Sequence, residues 1–468
     1  MTAINRGTAP EPPDENRFSG TLHLPGDEDF EEAVYRRIFN ARRPAGRTPA
    51  AVLEAATEQD VVAGVRLALE RGWQVAVRSG GHSWAAWSVR RDTLLIDLGG
   101  FREMAYDPRT GIVTATPSVK GGDELNPYLD EFGRFFNGGH CPSVGIGGFL
   151  LQGGQGWNAR GWGWAAENIV AIDVVTADGE LVRADETRHS DLFWAARGAG
   201  PGFFGVVTRF HLRTRPLPGH LAHTVHAYPL DLFDEVMTWL HDTHHTVSGL
   251  VEIVALTQTP PELDGPVLLV TGVAMTETPQ EAAEALAPLH ANPYADRALF
   301  RVEAQPTTFA EQLAGQRTAN PEGHRYFVDN AWLTGTAEEV VPAIRKAFTE
   351  HPTRGTFTIW FSMAPLRRLP DMAFSLQSEI YCASYVVHDE PGRDAELRGW
   401  LDGAMAAMEP VTAGQYLGDS DFTVRQLRFM GDEQWRRLNE IRAARDPKGV
   451  FAGYLSAGTV TNTNHWEQ

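Results

Sequence analysis

Apolar residues recur at helical spacing through TEQDVVAGVRLALERG (57–72), behind a threonine, Thr57, suited to cap the first turn. A helix is expected there. The pattern then shortens. WQVAVRSGG, TLLIDLGG and GIVTATPSV read as strands, the first running into a glycine loop. GGDELNPYLDEFG reads as a short helix. NIVAIDVVTADGELVRAD (168–185) reads as a hairpin, two β-branched runs around an Asp178-Gly179 turn. HSDLFWAARGAGPG predicts a helix ending in glycines, and FGVVTRFHLRTRP (204–216) a strand closed by proline. Beyond a junction at LPG (217–219), strands are expected at LAHTVHAYPL, LVEIVALTQT, PVLLVTGVAMT, RYFVDNAWLTG, GTFTIWFSM and SEIYCASYVVHD. Helices lie between them, among them TPQEAAEALAPLHA, TAEEVVPAIRKAFTEH and DAELRGWLDGAMAAM. That alternation predicts an antiparallel sheet covered by helices on one face, so the fold class is α+β. A last helix, DEQWRRLNEIRAARDP, precedes KGVFAGYLSAG.

The length, 468 residues, favours two domains. Residues 1–30 read as a disordered lead-in without an apolar signal core. A net charge of −19 argues against a nucleic-acid partner. No apolar run reaches about 18 residues, so no membrane span is expected. Only two cysteines occur, Cys141 and Cys382, which excludes a disulfide framework and suits a cytoplasmic location. Nothing in the sequence fixes an oligomeric state.

Two glycine motifs imitate a dinucleotide fingerprint. Gly154-Gln-Gly156-Trp-Asn-Ala159 is followed by glycines that break a helix, and Gly200-Pro-Gly202-Phe-Phe-Gly205 runs into a strand. Neither opens a helix after a strand, as that site requires. His241, His244 and His245 lack a carboxylate or thiolate at ligand spacing, so no metal is expected. VRSGGHSWAAWS (77–88) and GGHCPSVGIGG (138–148) are the unusual stretches. Each sets one nucleophile, His82 or Cys141, among glycines that clear space for a flat, bulky group. Each has a serine nearby, Ser83 or Ser143, and Arg78 adds a positive charge to the first.

These stretches, with the continuation FLLQGGQGWNARGWGWAAENIVAIDVVTADGELV, resemble the flavin-binding segments of the berberine-bridge-enzyme-like oxidases of the vanillyl-alcohol-oxidase/PCMH superfamily. The similarity extends through SDLFWAARGAGPGFFGVVTRFHLR and returns at RLNEIRAARDPKGVF. It implies a PCMH-type FAD-binding domain over 31–216 and 426–468, and a substrate-binding domain over 217–425. It implies FAD held covalently, by His82 at the 8α-methyl carbon and by Cys141 at ring carbon C6. Further cofactor contacts are expected at Arg78, Ser79, Gly80, Gly81 and Ser83, at Ser143, Val144, Gly145, Gly147, Gly148 and Gly153, and at Val207 and Tyr454. The family's tyrosine-bearing YxNYxDxD segment appears here as YLGDSDF (416–422), which nominates Tyr416 as catalytic base, with Tyr381 and Tyr385 as alternates. Trp84, Trp87, Trp162 and Trp164 are candidates to stack on a flat substrate.

The implied activity is oxidation of an alcohol or hemiacetal carbon on a sugar or a glycosylated aromatic metabolite, with O2 reduced to H2O2. A flavin dehydrogenase, an amine oxidase of the same fold and a flavin-holding binding protein are the rival readings.

Overall fold

Thr57 caps the helix Glu58–Arg71: its hydroxyl accepts from the Asp60 amide, and the Asp60 carboxylate accepts in return from the Thr57 amide. Gly72, at φ +67°, ends the helix in the left-handed region. This helix is the crossover between two strands of a four-stranded sheet, whose spatial order is Thr21–His23, Ala51–Glu54, Thr93–Asp97, Gln74–Arg78. The last three strands are mutually parallel and the first is antiparallel. The computed structural model describes residues 17–455 except Pro261. Residues 1–16 of the expected lead-in therefore lie outside the described residues. Its remainder is not a loose tail, because Thr21–His23 pair with Val52–Glu54.

A second, antiparallel sheet has the order Met104–Asp107, Ile112–Ala115, Val206–Arg213, Ile169–Val175, Leu181–Ala184. It contains the expected hairpin, with Gly179 at φ +72° in the turn. Both sheets and the helix Glu58–Arg71 bury one continuous apolar core. The helix expected after His189 is brief, Ser190–Ala195, because the following glycines take conformations that leave the helix.

The third sheet has eight antiparallel strands. Its order is Phe300–Thr307, His220–Tyr228, Val267–Thr276, Val251–Gln258, Phe357–Ser362, Ile380–His388, Arg325–Leu333, Thr412–Gly414. The two outer strands were not expected; the first is largely exposed and carries Pro306, so it lacks a buried strand's pattern. Helices Phe233–Thr243, Pro279–His290, Ala337–Thr349 and Asp394–Met408 cover one face. On the central strand Ile380–His388, Ile380, Cys382 and Val386 enter the core beneath these helices. Tyr381, Ala383, Tyr385 and Val387 alternate with them and join the core on the opposite face. That opposite face packs on Phe39, Trp84, Ala159 and Trp164 of the first part.

Arg160 fastens the two parts. Its buried guanidinium donates to carbonyls of His244, Val247, Ser248, Val251 and Ala364. The terminal helix Asp432–Arg445 returns to the first part through an Arg445–Asp191 ion pair at 2.7 Å, and the Val75 amide then donates to the Val450 carbonyl. Among the described residues no helix is long and apolar enough to cross a membrane.

Candidate active site

The two glycine stretches touch. A Cβ on Gly80 would lie 2.6 Å from the Gly145 nitrogen, and one on Gly145 would lie 2.9 Å from the Gly80 nitrogen. Gly81 sits at φ +75°, where a Cβ would fall 1.7 Å from the Arg37 carbonyl oxygen. The glycines thus let two backbones cross in contact, and the crossing carries His82 and Cys141 to the rim of one cavity. Its volume is about 610 Å3, and it runs from the first sheet to the bare face of the eight-stranded sheet.

Three of the expected cofactor residues do not line this cavity: Ser143, Gly153 and Tyr454. Ser143 instead supports the first nucleophile, its Oγ lying 3.1 Å from His82 Nε2. Gly153 packs on Phe374, where a Cβ would meet the ring at 2.7 Å. Tyr454 donates to the Ala199 carbonyl at 2.6 Å and packs its ring among Trp87, Phe422, Phe429 and Trp435. Arg78 borders the cavity, but its charge is spent elsewhere. The guanidinium is buried, ion-paired to Asp97 at 2.6 Å, and donates to the Ala33 and Val34 carbonyls. Arg78→Met should therefore leave the buried Asp97 carboxylate only Arg37, 3.4 Å away, as its cation among the described residues and destabilise the fold by up to about 3 kcal/mol. Urea unfolding tests this; an unchanged midpoint would show that the ion pair is dispensable to the fold.

His82 stacks on Phe39, ring centroids 4.4 Å apart. Burial, with Lys120 nearby, pulls its pKa down to about 4, so the imidazole is neutral and keeps a free electron pair at neutral pH. Burial, reinforced by the Asp419 charge, pushes the Cys141 thiol up to about 12. Cys141 is therefore a thiol until something removes its proton.

Asp419 is the polar centre of the site. Its Oδ1 accepts from Trp84 Nε1 at 2.8 Å and its Oδ2 accepts from the Tyr381 hydroxyl at 2.5 Å. No cation pairs with it among the described residues. Burial first, then the Asp419 charge, raise the Tyr381 and Tyr385 phenols well above their ordinary value. The loop bearing Asp419 is clamped by buried Asn330, whose Nδ2 donates to the Tyr416 and Asp419 carbonyls while its Oδ1 accepts from the Tyr416 amide. Tyr416 also borders the cavity, but its hydroxyl accepts from the Gln155 amide at 3.2 Å, and burial raises its pKa. Tyr381, one of the two alternates, is thus bonded to a carboxylate, whereas the Tyr416 hydroxyl meets a backbone amide.

Arg90 was not anticipated. It lines the cavity, donates to the Trp87 and Gly453 carbonyls, and has no carboxylate partner among the described residues. Burial, then repulsion from Arg47 and Arg442, lowers its pKa to about 9. An uncompensated cation of this kind suits a phosphate. Of the four tryptophans expected to stack, Trp84 and Trp87 line the cavity. Trp162 lies under Arg215, and Trp164 packs on Phe374 and Tyr416. Trp157 borders the cavity unforeseen. The dinucleotide-like motifs serve turns: only Ala159–Trp162 is helical after the first, and Asp173 is held by Arg183 and His211. His244 is bonded to Ser362 Oγ at 2.8 Å. A neutral imidazole, a thiol, a glycine cradle and an unpaired arginine around one long cavity form a donor set that fits FAD.

Comparison with known proteins gives a consistent picture. Residues 49–185 match a family model described as an FAD binding domain. The chain is 36% identical to the FAD-linked oxidoreductase janO of Penicillium janthinellum, over 91% of this chain and 95% of that protein. It is 40% identical to a xylooligosaccharide oxidase of Thermothelomyces thermophilus, over 38% of this chain and 36% of that one. The solved structure of Physcomitrella patens BBE-like 1 superposes with a TM-score of 0.82 at 19% identity, covering 95% of this chain and 98% of that chain, a likeness of fold.

Proposed function

Because the chain belongs to the FAD-linked oxidoreductases, we propose that it is an oxidase acting on an alcohol carbon, with Tyr381 and Asp419 as its proton-accepting pair and O2 as the terminal acceptor. The observation that carries this reading is the Tyr381–Asp419 hydrogen bond, which opens on the same cavity as His82 and Cys141. FAD supplies the two-electron acceptor when bound. The protein's part is to hold it and to move one proton. Residues 31–216 and 426–468 form the holding part in this reading, and 217–425 the substrate part. The substrate hydroxyl gives its proton to Tyr381 Oη as the phenolic proton passes to Asp419 Oδ2, which leaves the carbon ready to release hydride. Trp84 Nε1 and the Asn330 clamp keep the carboxylate aimed at the phenol.

The test is anaerobic mixing with candidate alcohols. Substrate should bleach the yellow protein, and air should restore the colour with one peroxide formed per substrate consumed. Bleached protein that recovers with a dye but not with air would be a dehydrogenase.

His82 and Cys141 serve as the two covalent anchors in this reading, and their proton affinities set opposite pH dependences for attachment. Only neutral imidazole is nucleophilic, so linkage through His82 in Cys141→Ala should proceed at constant rate from pH 8 to 5 and slow as pH approaches 4. Only thiolate attacks, so linkage through Cys141 in His82→Ala should quicken about tenfold per pH unit below its raised value. Intact mass of denatured samples follows both; parallel pH profiles would refute the assignment.

A further inference from the structure

Resting on the oxidase reading, we propose a substrate class for the same site: a neutral molecule with an extended, predominantly apolar body rather than an oligosaccharide. The bare face of the eight-stranded sheet forms the cavity wall beyond the base. Strand register places Tyr381 opposite Phe361, Phe361 opposite Val254, Val254 opposite Thr271, and Thr271 opposite Val225. All five line the cavity. They form one cross-strand row that starts at the base and, at the usual strand spacing, reaches about 19 Å across the sheet. Beside it, Ile359 and Leu256 are paired and also line the cavity.

The polar side chains on and beside this row are engaged within the protein. Thr271 Oγ1 donates to the Val254 carbonyl at 3.0 Å. Glu252 receives His140 Nε2 at 2.9 Å on one oxygen and the Asn158 amide at 2.7 Å on the other. At the outer end, His223 Nδ1 is bonded to Gln312 at 3.0 Å. A sugar carries a hydroxyl on nearly every carbon, and each one set against the Phe361–Val254–Val225 stretch of this row would lose water there without gaining a side-chain partner. A hydrocarbon skeleton loses nothing there and removes its own surface from water. The Asp419 charge, unpaired among the described residues, opposes an anionic substrate. One polar group is required, the hydroxyl presented to Tyr381.

Three probes test this on the flavin-loaded full chain: farnesol, 9-anthracenemethanol and xylobiose. Binding is read from perturbation of tryptophan fluorescence, and hydride transfer separately from anaerobic bleaching. The apolar alcohols should bind at concentrations at least about tenfold below xylobiose. Val254→Asp, placed in the middle of the row, should weaken them at least about tenfold with flavin content unchanged, and the near-isosteric Val254→Thr should weaken them less. Xylobiose binding as tightly as the apolar probes, or unchanged apolar affinity in Val254→Asp, would overturn the proposal. Apolar probes that bind as expected while no alcohol bleaches the flavin would instead overturn the oxidase reading and leave the apolar preference standing.

Discussion

Asp419→Asn and Tyr381→Phe should each slow substrate-dependent flavin bleaching by about 10²- to 10⁴-fold, the usual range for loss of a positioned base. Both replacements keep size and shape. In the first, the new side-chain amide would still accept from Trp84 Nε1 but could not take a proton; the second would remove the hydroxyl that meets the carboxylate at 2.5 Å. Tyr416→Phe should have a much smaller effect, because that hydroxyl is an acceptor for the Gln155 amide and has no carboxylate bonded to it. Single-turnover reduction under nitrogen separates the three. A collapse in Tyr416→Phe with near-normal rates in the other two would return the role to Tyr416.

The second large effect concerns retention of the cofactor. The double variant His82→Ala/Cys141→Ala should lose all covalent flavin, and denaturation should release whatever remains bound. Each single variant should keep one attachment, since the two side chains reach the cavity from separate loops. Neither nucleophile is positioned by the other: His82 is held by Phe39 and Ser143, and Cys141 sits in a turn closed by the Val144 amide on its own carbonyl. Loss of the adduct in both singles would mean that one bond must form before the other.

What the sequence revealed was local. Capping at Thr57, the Asp178-Gly179 turn and the two glycine stretches are each encoded within a few residues, so spacing and residue type were enough. The proposed proton-accepting pair is not local. Tyr381 and Asp419 are 38 positions apart and meet through sheet register and the Asn330 clamp. The motif that kept Tyr416 marks a residue three positions before Asp419, whose carboxylate accepts from Tyr381 instead. Arg78 misled for a related reason: its charge stands beside the glycine loop in sequence, while its partner Asp97 is its register neighbour on the adjacent parallel strand. Arg90 went unnoticed because an arginine in a loop carries no spacing signal until its lack of a carboxylate is visible in three dimensions. The helix Phe309–Ala319 was missed because none of its residues is buried, so it has no apolar stripe to read.

The measurement closest to the central claim is the intact mass of the purified wild-type protein after acid denaturation. The account predicts a yellow pellet whose mass exceeds the polypeptide by one FAD, with the adduct mapping by peptide digestion to both the His82 and the Cys141 peptides. A colourless pellet of bare polypeptide mass, with all the flavin in the supernatant, would contradict it.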